Sequence, residues 1–221
     1  MKTILQAINL SKTVTAPEGE LTILDAVNLS IPSGSSVAIT GSSGSGKSTL
    51  LGLLAGLDTP SDGKVIMDGA DLSRLDEDGR ALCRAGRVGF VFQSFQLVHS
   101  LSALENIMLP MELADLANAD ERAKQILQQV GLSERGSHYP SQLSGGEQQR
   151  VAIARAYALQ PKILFADEPT GNLDQKTGDT IIDLLFDMNI HRQTTLVLVT
   201  HDTRLASKCD MTYQLEAGRL I

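Results

Sequence analysis

Apolar residues fall along this chain in two rhythms: short β-branched runs toward both ends, and a helical repeat between them. Residues 3–9, 21–31, 36–40, 64–68 and 88–92 read as strands, and strands return at 162–166 and 194–200. Turn chemistry separates the early ones, at Pro17-Glu18-Gly19, Pro32-Ser33-Gly34 and Pro60-Ser61-Asp62-Gly63. Residues 48–55 carry helix-forming leucines and stop at Gly56. From about 95 to 160 the pattern is helical, with Ala123, Ile126, Leu127 and Val130 on one face before Gly131. An amphipathic helix is expected over about 176–189. The pattern predicts an α/β domain whose mixed-sheet core, residues 1–93 and 161–221, is interrupted by a helical insert over about 94–160 with hinges at its ends.

Composition narrows the class. A chain of 221 residues, 42% hydrophobic and 20% charged, can bury a sizeable core. A net charge of −7 argues against a nucleic-acid surface. No stretch approaches the roughly 18 consecutive apolar residues of a membrane span, and the N-terminus, broken by Gln6 and Asn9, lacks the apolar core of a secretory leader. Cys83 and Cys209 stand in no metal spacing and are expected as reduced, packed thiols, so the cytoplasm is the expected compartment.

Two glycine-rich segments carry the chemistry. Gly41-Ser42-Ser43-Gly44-Ser45-Gly46-Lys47-Ser48 is a complete G-x-x-x-x-G-K-[ST] loop between a predicted strand and a predicted helix. Glycines there let backbone N–H groups converge on a phosphate, and the helix N-terminus adds its positive dipole end. Lys47 would reach the β- and γ-phosphates, and the Ser48 hydroxyl would bind Mg²⁺. A chance match is on the order of one in a hundred for a chain this long, so an NTP site is the reading. The second segment is Leu143-Ser144-Gly145-Gly146-Glu147, where Ser144 can cap a helix from Glu147 to about Leu159 and leave its N–H groups facing an anion.

Several strand ends add to the first motif. The apolar run 163–166 leads straight into Asp167 and Glu168, which places two carboxylates at a strand's C-terminal edge. Asp167 would help hold Mg²⁺ through water, and Glu168 would orient or deprotonate an attacking water. The bland alternative, an acid pair capping the next turn at Pro169, loses ground because of the phosphate loop upstream. His201 follows the apolar run 194–200, where it could donate to a γ-phosphate, whereas His99, His138 and His191 read as surface or packing residues. Gln93 also ends a strand and carries an amide able to touch Mg²⁺ or water.

In order along nearly the whole chain, GSSGSGKS (41–48), Gln93, LSGGEQQR (143–150), ILFADE (163–168), GNLD (171–174) and VTHD (199–202) resemble the Walker A, Q-loop, signature, Walker B, D-loop and H-loop segments of an ABC transporter ATPase. FVFQSF around Gln93, LSALENIMLP (101–110) and FADEPTGNLD (165–174) resemble the MacB/LolD/FtsE group and its YbbA-like ATPases. The resemblance implies the P-loop NTPase ABC ATPase fold, with an antiparallel β subdomain and a helical subdomain. It implies ATP and Mg²⁺ as cofactors and hydrolysis of ATP to ADP and phosphate. Gly41 to Thr49, Gln93 and His201 would bind ATP, with Lys47, Gln93, Glu168 and His201 catalytic and Ser48, Gln93 and Asp167 at the metal. Ser144, Gly145 and Gly146 would close over the nucleotide of a second subunit, with Asp174 across that contact. No arginine is clearly placed as a finger, which fits charge donation from a second subunit.

The implied partners are a second copy, head to tail on ATP, and an integral membrane permease of the FtsX/MacB-like type. No nucleic acid and no direct membrane span are expected, which puts the protein at the inner face of the cell membrane. The implied work is mechanotransmission; a regulatory ATPase controlling a periplasmic or cell-envelope enzyme is the alternative. Residues from Gln93 to about Glu112, with Phe95, Leu97, Leu101 and Met108 exposed, are the expected docking surface. One position departs from the family pattern: where an aromatic residue usually stacks on adenine, this chain has Val14.

Overall fold

The computed structural model describes residues 2–16 and 19–221; the turn expected at Pro17 and Glu18 lies outside the described residues. The strands are β1 (Thr3–Ala16), β2 (Gly19–Pro32), β3 (Ser36–Thr40), β4 (Asp62–Met67), β5 (Ala70–Asp71), β6 (Val88–Phe92), β7 (Ile163–Asp167), β8 (Thr195–Val199), β9 (Met211–Glu216) and β10 (Arg219–Leu220). The helices are α1 (Lys47–Leu54), α2 (Glu77–Arg84), α3 (Ala103–Leu113), α4 (Ala119–Gln129), α5 (Gly145–Tyr157), α6 (Gln175–Arg192) and α7 (Thr203–Ser207). The chain forms two compact units, Met1–Ala85 with Thr195–Ile221, and Gly86–Thr194.

The first unit holds an antiparallel sheet in the order β2-β1-β4-β5. It also holds a parallel set in which β3 lies between β9 and β8. Val37, Ala38 and Ile39 and the whole run from Leu196 to Val199 are buried, which is why both segments read as unbroken apolar runs. Strand β1 extends well past the expected residue 9. Asn9 takes a positive φ of 47° and donates its N–H to Asn28 Oδ1, a bulge that breaks the alternation while the ladder continues. Helix α2 was missed because none of its residues is buried. Asp76 caps it, and Glu77 pairs with Arg80 at 2.7 Å and Arg84 at 2.9 Å.

In the second unit β6 pairs in parallel with β7, and Phe90 stacks between Phe92 and Phe165 at 5.6 and 5.7 Å. The helical pattern predicted from about 95 starts later, at Ala103. The reason is Asn106, fully buried, whose amide donates to the carbonyls of Val98, Leu101 and Ser102 and accepts from the Val98 N–H. Those bonds fix the preceding residues as a loop. A capping box between Ser102 and Glu105 then opens α3. Ala123, Ile126, Leu127 and Val130 are buried as their spacing predicted.

Candidate functional site

The loop 41–48 lies in the first unit between β3 and α1. Gly46 occupies the position before α1 with φ 100°, a conformation costly for any residue with a Cβ, and no side chain caps the helix start. The first N–H groups of α1 are therefore left for an external acceptor, while Leu50, Leu51, Leu53 and Leu54 anchor the helix in the core. Lys47 Nζ donates to the carbonyls of Gly41 at 3.0 Å and Ser42 at 2.8 Å, so its ammonium is folded over the loop itself. Ser48 is exposed, and exposed His201 follows the end of β8 in the same unit. Next to it Asp202 caps α7, and Arg204 beside it pulls the Asp202 carboxyl below its ordinary range. Val14 is half-buried on β1, opposite exposed Leu21 of β2.

The second glycine segment opens α5 in the second unit as expected, with Ser144 as the cap. Ser144 Oγ accepts from the Glu147 N–H, and the Ser144 N–H and hydroxyl donate to Glu147 Oε2 at 2.9 and 2.8 Å. Arg135 Nε reaches the other carboxylate oxygen at 3.0 Å. Ser144's backbone N–H above all, then its hydroxyl and Arg135, hold the Glu147 carboxyl down to about 2. A Cβ on Gly146 would lie 2.4 Å from Thr177 Cγ2, so no larger residue fits there unless Thr177 shifts.

The remaining candidates of this unit lie at the end of β7 and on the two loops that follow β6 and β7. Asp167 ends β7 opposite Phe92, and Gln93 follows directly on β6. Glu168 has φ 46°, a left-handed conformation that a non-glycine residue holds only when its surroundings impose it. Its carbonyl accepts the Gly171 N–H at 3.0 Å, which closes the turn. Gln93 Nε2 donates to Asn172 Oδ1 at 3.2 Å, and Asn172 Nδ2 donates to the Gln93 carbonyl at 2.9 Å. Asp174 caps α6 by accepting the Thr177 N–H at 3.1 Å.

Three residues of this network carried no role in the sequence reading. Gln149, fully buried on α5, donates to the Pro169 carbonyl at 2.6 Å. Arg155, near the end of the same helix, donates to the carbonyls of Gln96 at 2.7 Å and Phe95 at 3.1 Å, two residues that both have positive φ. Asn172 sits inside the GNLD segment. The available signal was their place within or beside the motifs, not their residue type. Leu97, expected exposed on a docking surface, is instead buried at 6% because it belongs to the core of the unit. Phe95, Leu101 and Met108 are half-buried, and a Cβ on Gly145 would stand 3.6 Å from the Phe95 ring. Cys83 and Cys209 are free thiols of intermediate burial, and burial pushes Cys209 up to about 12. The side chain of His191 lies outside the described residues. Among the described residues, no helix is long and apolar enough to cross a membrane.

Residues 24–171 match the family model described as ABC transporter. The uncharacterized ABC transporter ATP-binding protein YbbA of Escherichia coli (strain K12) is 53% identical over 219 residues, 98% of this chain and 96% of that protein. The lipoprotein-releasing system ATP-binding protein LolD of Pseudomonas syringae pv. tomato is 46% identical over 222 residues, 100% of this chain and 98% of that protein. Among solved structures, the ATP-binding cassette MJ0796 bound to ADP and Pi, in a dimeric post-hydrolysis state, superposes with a TM-score of 0.90 at 40% identity, covering 98% of this chain and 96% of that one. A further dimeric structure of MJ0796, a bacterial ABC transporter cassette, gives a TM-score of 0.91 at 41% identity, with the same coverage. These matches, over 98–100% of the chain for the relatives and solved structures, carry the ABC ATPase fold, mixed α/β with an antiparallel sheet and a helical part. The chain belongs to the ABC transporter family, as one of its ATP-binding domains and an ATPase.

Proposed function

We propose that this chain is the motor subunit of a membrane complex: two copies close head to tail on ATP and drive a separate integral membrane permease of the FtsX/MacB-like type by mechanotransmission. The observation that supports it best is that one chain carries two glycine-flanked helix starts, α1 without a side-chain cap and α5 capped by Ser144, in different compact units. One nucleotide occupies one phosphate loop, so the second helix start is left for the nucleotide of another copy. The dimeric state described for MJ0796 favours the same reading. In this division of labour residues 1–93 and 161–221 form the ATP-binding core and residues 94–160 the helical subdomain.

Within each composite site, Gly41 to Thr49 wrap the phosphates and Lys47 swings from its loop carbonyls to the β- and γ-phosphates. Glu168 takes the proton of the attacking water, and His201 donates to the γ-phosphate. Ser144, Gly145 and Gly146 offer the α5 N-terminus to the nucleotide of the second copy, with Asp174 at the contact between the two. Ser48, Gln93 and Asp167 supply a hydroxyl, an amide oxygen and a carboxylate, the hard donors suited to Mg²⁺, and Asn172 already takes the nitrogen end of Gln93. Mg²⁺ bound there would neutralise charge on the phosphate oxygens. The half-buried Phe95, Leu101 and Met108, with the exposed Val98 and Leu113, form the docking face toward the permease. The complex then works at the cytoplasmic face of the membrane.

Affinity capture of the membrane partner followed by ATPase assay of the complex tests this. Glu168→Gln should bind ATP, lose turnover and accumulate as a dimer. Normal hydrolysis by that variant would remove Glu168 as the base, and full activity with no membrane partner would overturn the motor reading.

A further inference from the structure

The loops of the second unit contain a directional clasp between two amides. Side-chain amides are ambiguous in isolation, because their oxygen and nitrogen ends exchange by a flip. Here the ambiguity is resolved by a group that cannot exchange. The backbone carbonyl of Gln93 only accepts, so the Asn172 end that faces it at 2.9 Å must be the nitrogen, Nδ2. Asn172 Oδ1 is thereby turned toward the Gln93 side chain, and an oxygen only accepts. The Gln93 end that meets it at 3.2 Å is then Nε2. What remains of the Gln93 amide is Oε1, the one end able to accept from water or coordinate a cation. The backbone around the clasp is shaped to permit it. A Cβ on Gly171 would lie 2.8 Å from Gln93 Nε2, so a glycine lets the amide lie against the loop. The same glycine donates its N–H to the Glu168 carbonyl at 3.0 Å, so the clasp is one residue from the turn that holds Glu168 at φ 46°.

We propose that Asn172 is a positioning residue for ATP hydrolysis: by taking both the Nε2 and the carbonyl of Gln93, it fixes the polarity of that amide so that Oε1 is presented to Mg²⁺ and the attacking water. The inference rests on the reading of Gln93 as a residue of the hydrolytic site. Asn172 itself touches neither nucleotide nor metal in this scheme. Asn172→Ala leaves the Gln93 amide free to rotate, and an amide pointing its N–H₂ at a cation is repelled from it.

The test is a double-mutant cycle on the purified full chain, with Gln93→Ala, Asn172→Ala and both together, measuring kcat, KM for ATP, the Mg²⁺ concentration for half-maximal rate and, without turnover, Mg²⁺ binding to the ADP-loaded protein by calorimetry, which should weaken in step. Thermal melting of each variant confirms that it is folded; both side chains are exposed, so the fold should survive. Asn172→Ala is expected to lower kcat roughly three- to tenfold, the scale of one hydrogen-bonded contact. It should raise the Mg²⁺ requirement by a similar factor with KM for ATP within about twofold of the parent, since uniform binding is untouched. The double variant should be no slower than Gln93→Ala alone. If Gln93→Ala hydrolyses ATP normally, the reading of Gln93 has failed and the clasp with it. If Gln93→Ala is impaired while Asn172→Ala matches the parent, or if the two losses multiply, Gln93 keeps its role and the clasp is overturned.

Discussion

The start of α5 makes a quantitative prediction through Glu147. Its carboxylate accepts from the N–H and hydroxyl of Ser144 at 2.9 and 2.8 Å, and Arg135 approaches at 3.0 Å. Together these hold its pKa at about 2 against an ordinary 4.5. The folded value is the lower one, so the unfolded chain binds more protons between the two, and stability rises with pH across that window. The contribution is complete above about 4.5 and is lost as pH falls through about 2. Taken at face value the gap amounts to roughly 3 kcal/mol. The Glu147 side chain is 20% exposed and that of Arg135 47%, and screening through the exposed partner reduces the figure to about 1 kcal/mol.

Glu147→Gln is the clean perturbation, since a glutamine oxygen still accepts from Ser144 while the charge is gone. Urea unfolding of both proteins at pH 7 should place the variant about 1 kcal/mol below the parent. Repeating the titration at successively lower pH should show that difference closing, with visible loss by roughly pH 3.5. A constant offset over the whole range would mean the charge has no part in the cap. A variant as stable as the parent at pH 7 would refute the argument altogether.

Other positions yield shorter predictions. Gly146→Ala sets a Cβ 2.4 Å from Thr177 Cγ2 and should cost about 1–3 kcal/mol, seen as a lower melting temperature. Adding Thr177→Ser, which deletes that methyl, should recover most of the loss; an unchanged melting point for Gly146→Ala would contradict the packing. Arg155→Met strips two donors from the Phe95 and Gln96 carbonyls and should destabilise by about 2–3 kcal/mol in urea unfolding. A neutral or stabilising result would show that desolvating the guanidinium already cancels those bonds. Val14→Tyr should tighten ATP by about 1–3 kcal/mol and more than it tightens GTP, from base stacking; equal ATP affinity for parent and variant would dispose of the idea.

Much of this was legible in the sequence where chemistry is carried by residue type at fixed spacing. The phosphate loop, the Ser144 cap and the β7 strand leading to Asp167 were each readable because glycine, a capping hydroxyl or an apolar run leaves a one-dimensional trace. Other features left none. Helix α2 has no fully buried residue, and arginines rather than an apolar stripe make up its covered side, so the sequence does not mark it. β1 hides its continuation behind the bulge at Asn9, where a residue with φ 47° resets the alternation. Asn106, Gln149 and Arg155 act on backbone carbonyls of other loops, and polar residues in a helical pattern look alike whether they face solvent or a distant carbonyl. Leu97 shows the converse, an apolar residue of a loop, outside any strand or helix period, that the fold buries.

Those distant carbonyls also explain why α5 matters beyond its N-terminus. Ser144 stands at one end of the helix, Gln149 in the middle holds the Pro169 carbonyl, and Arg155 near the other end holds Phe95 and Gln96. At 1.5 Å of rise per residue, the cap and the arginine are about 16 Å apart. The helix buries Val151, Ala152, Ile153, Ala154 and Tyr157, so it is packed along its length rather than hinged. Both tied loops carry left-handed residues, Phe95 and Gln96 in one and Glu168 in the other, and neither conformation is favoured without an external hold. The helix supplies that hold, through side chains that donate to loop carbonyls. A substitution at Gln149 or Arg155 should therefore change what Glu168 and Gln93 do without altering the phosphate loop at all. On the roles proposed for Glu168 and Gln93, that would separate the conformation of their loops from the grip on nucleotide, and measuring nucleotide affinity alongside turnover in Gln149→Leu would expose the difference: affinity held and turnover lost supports the strut, and equal loss of both removes it.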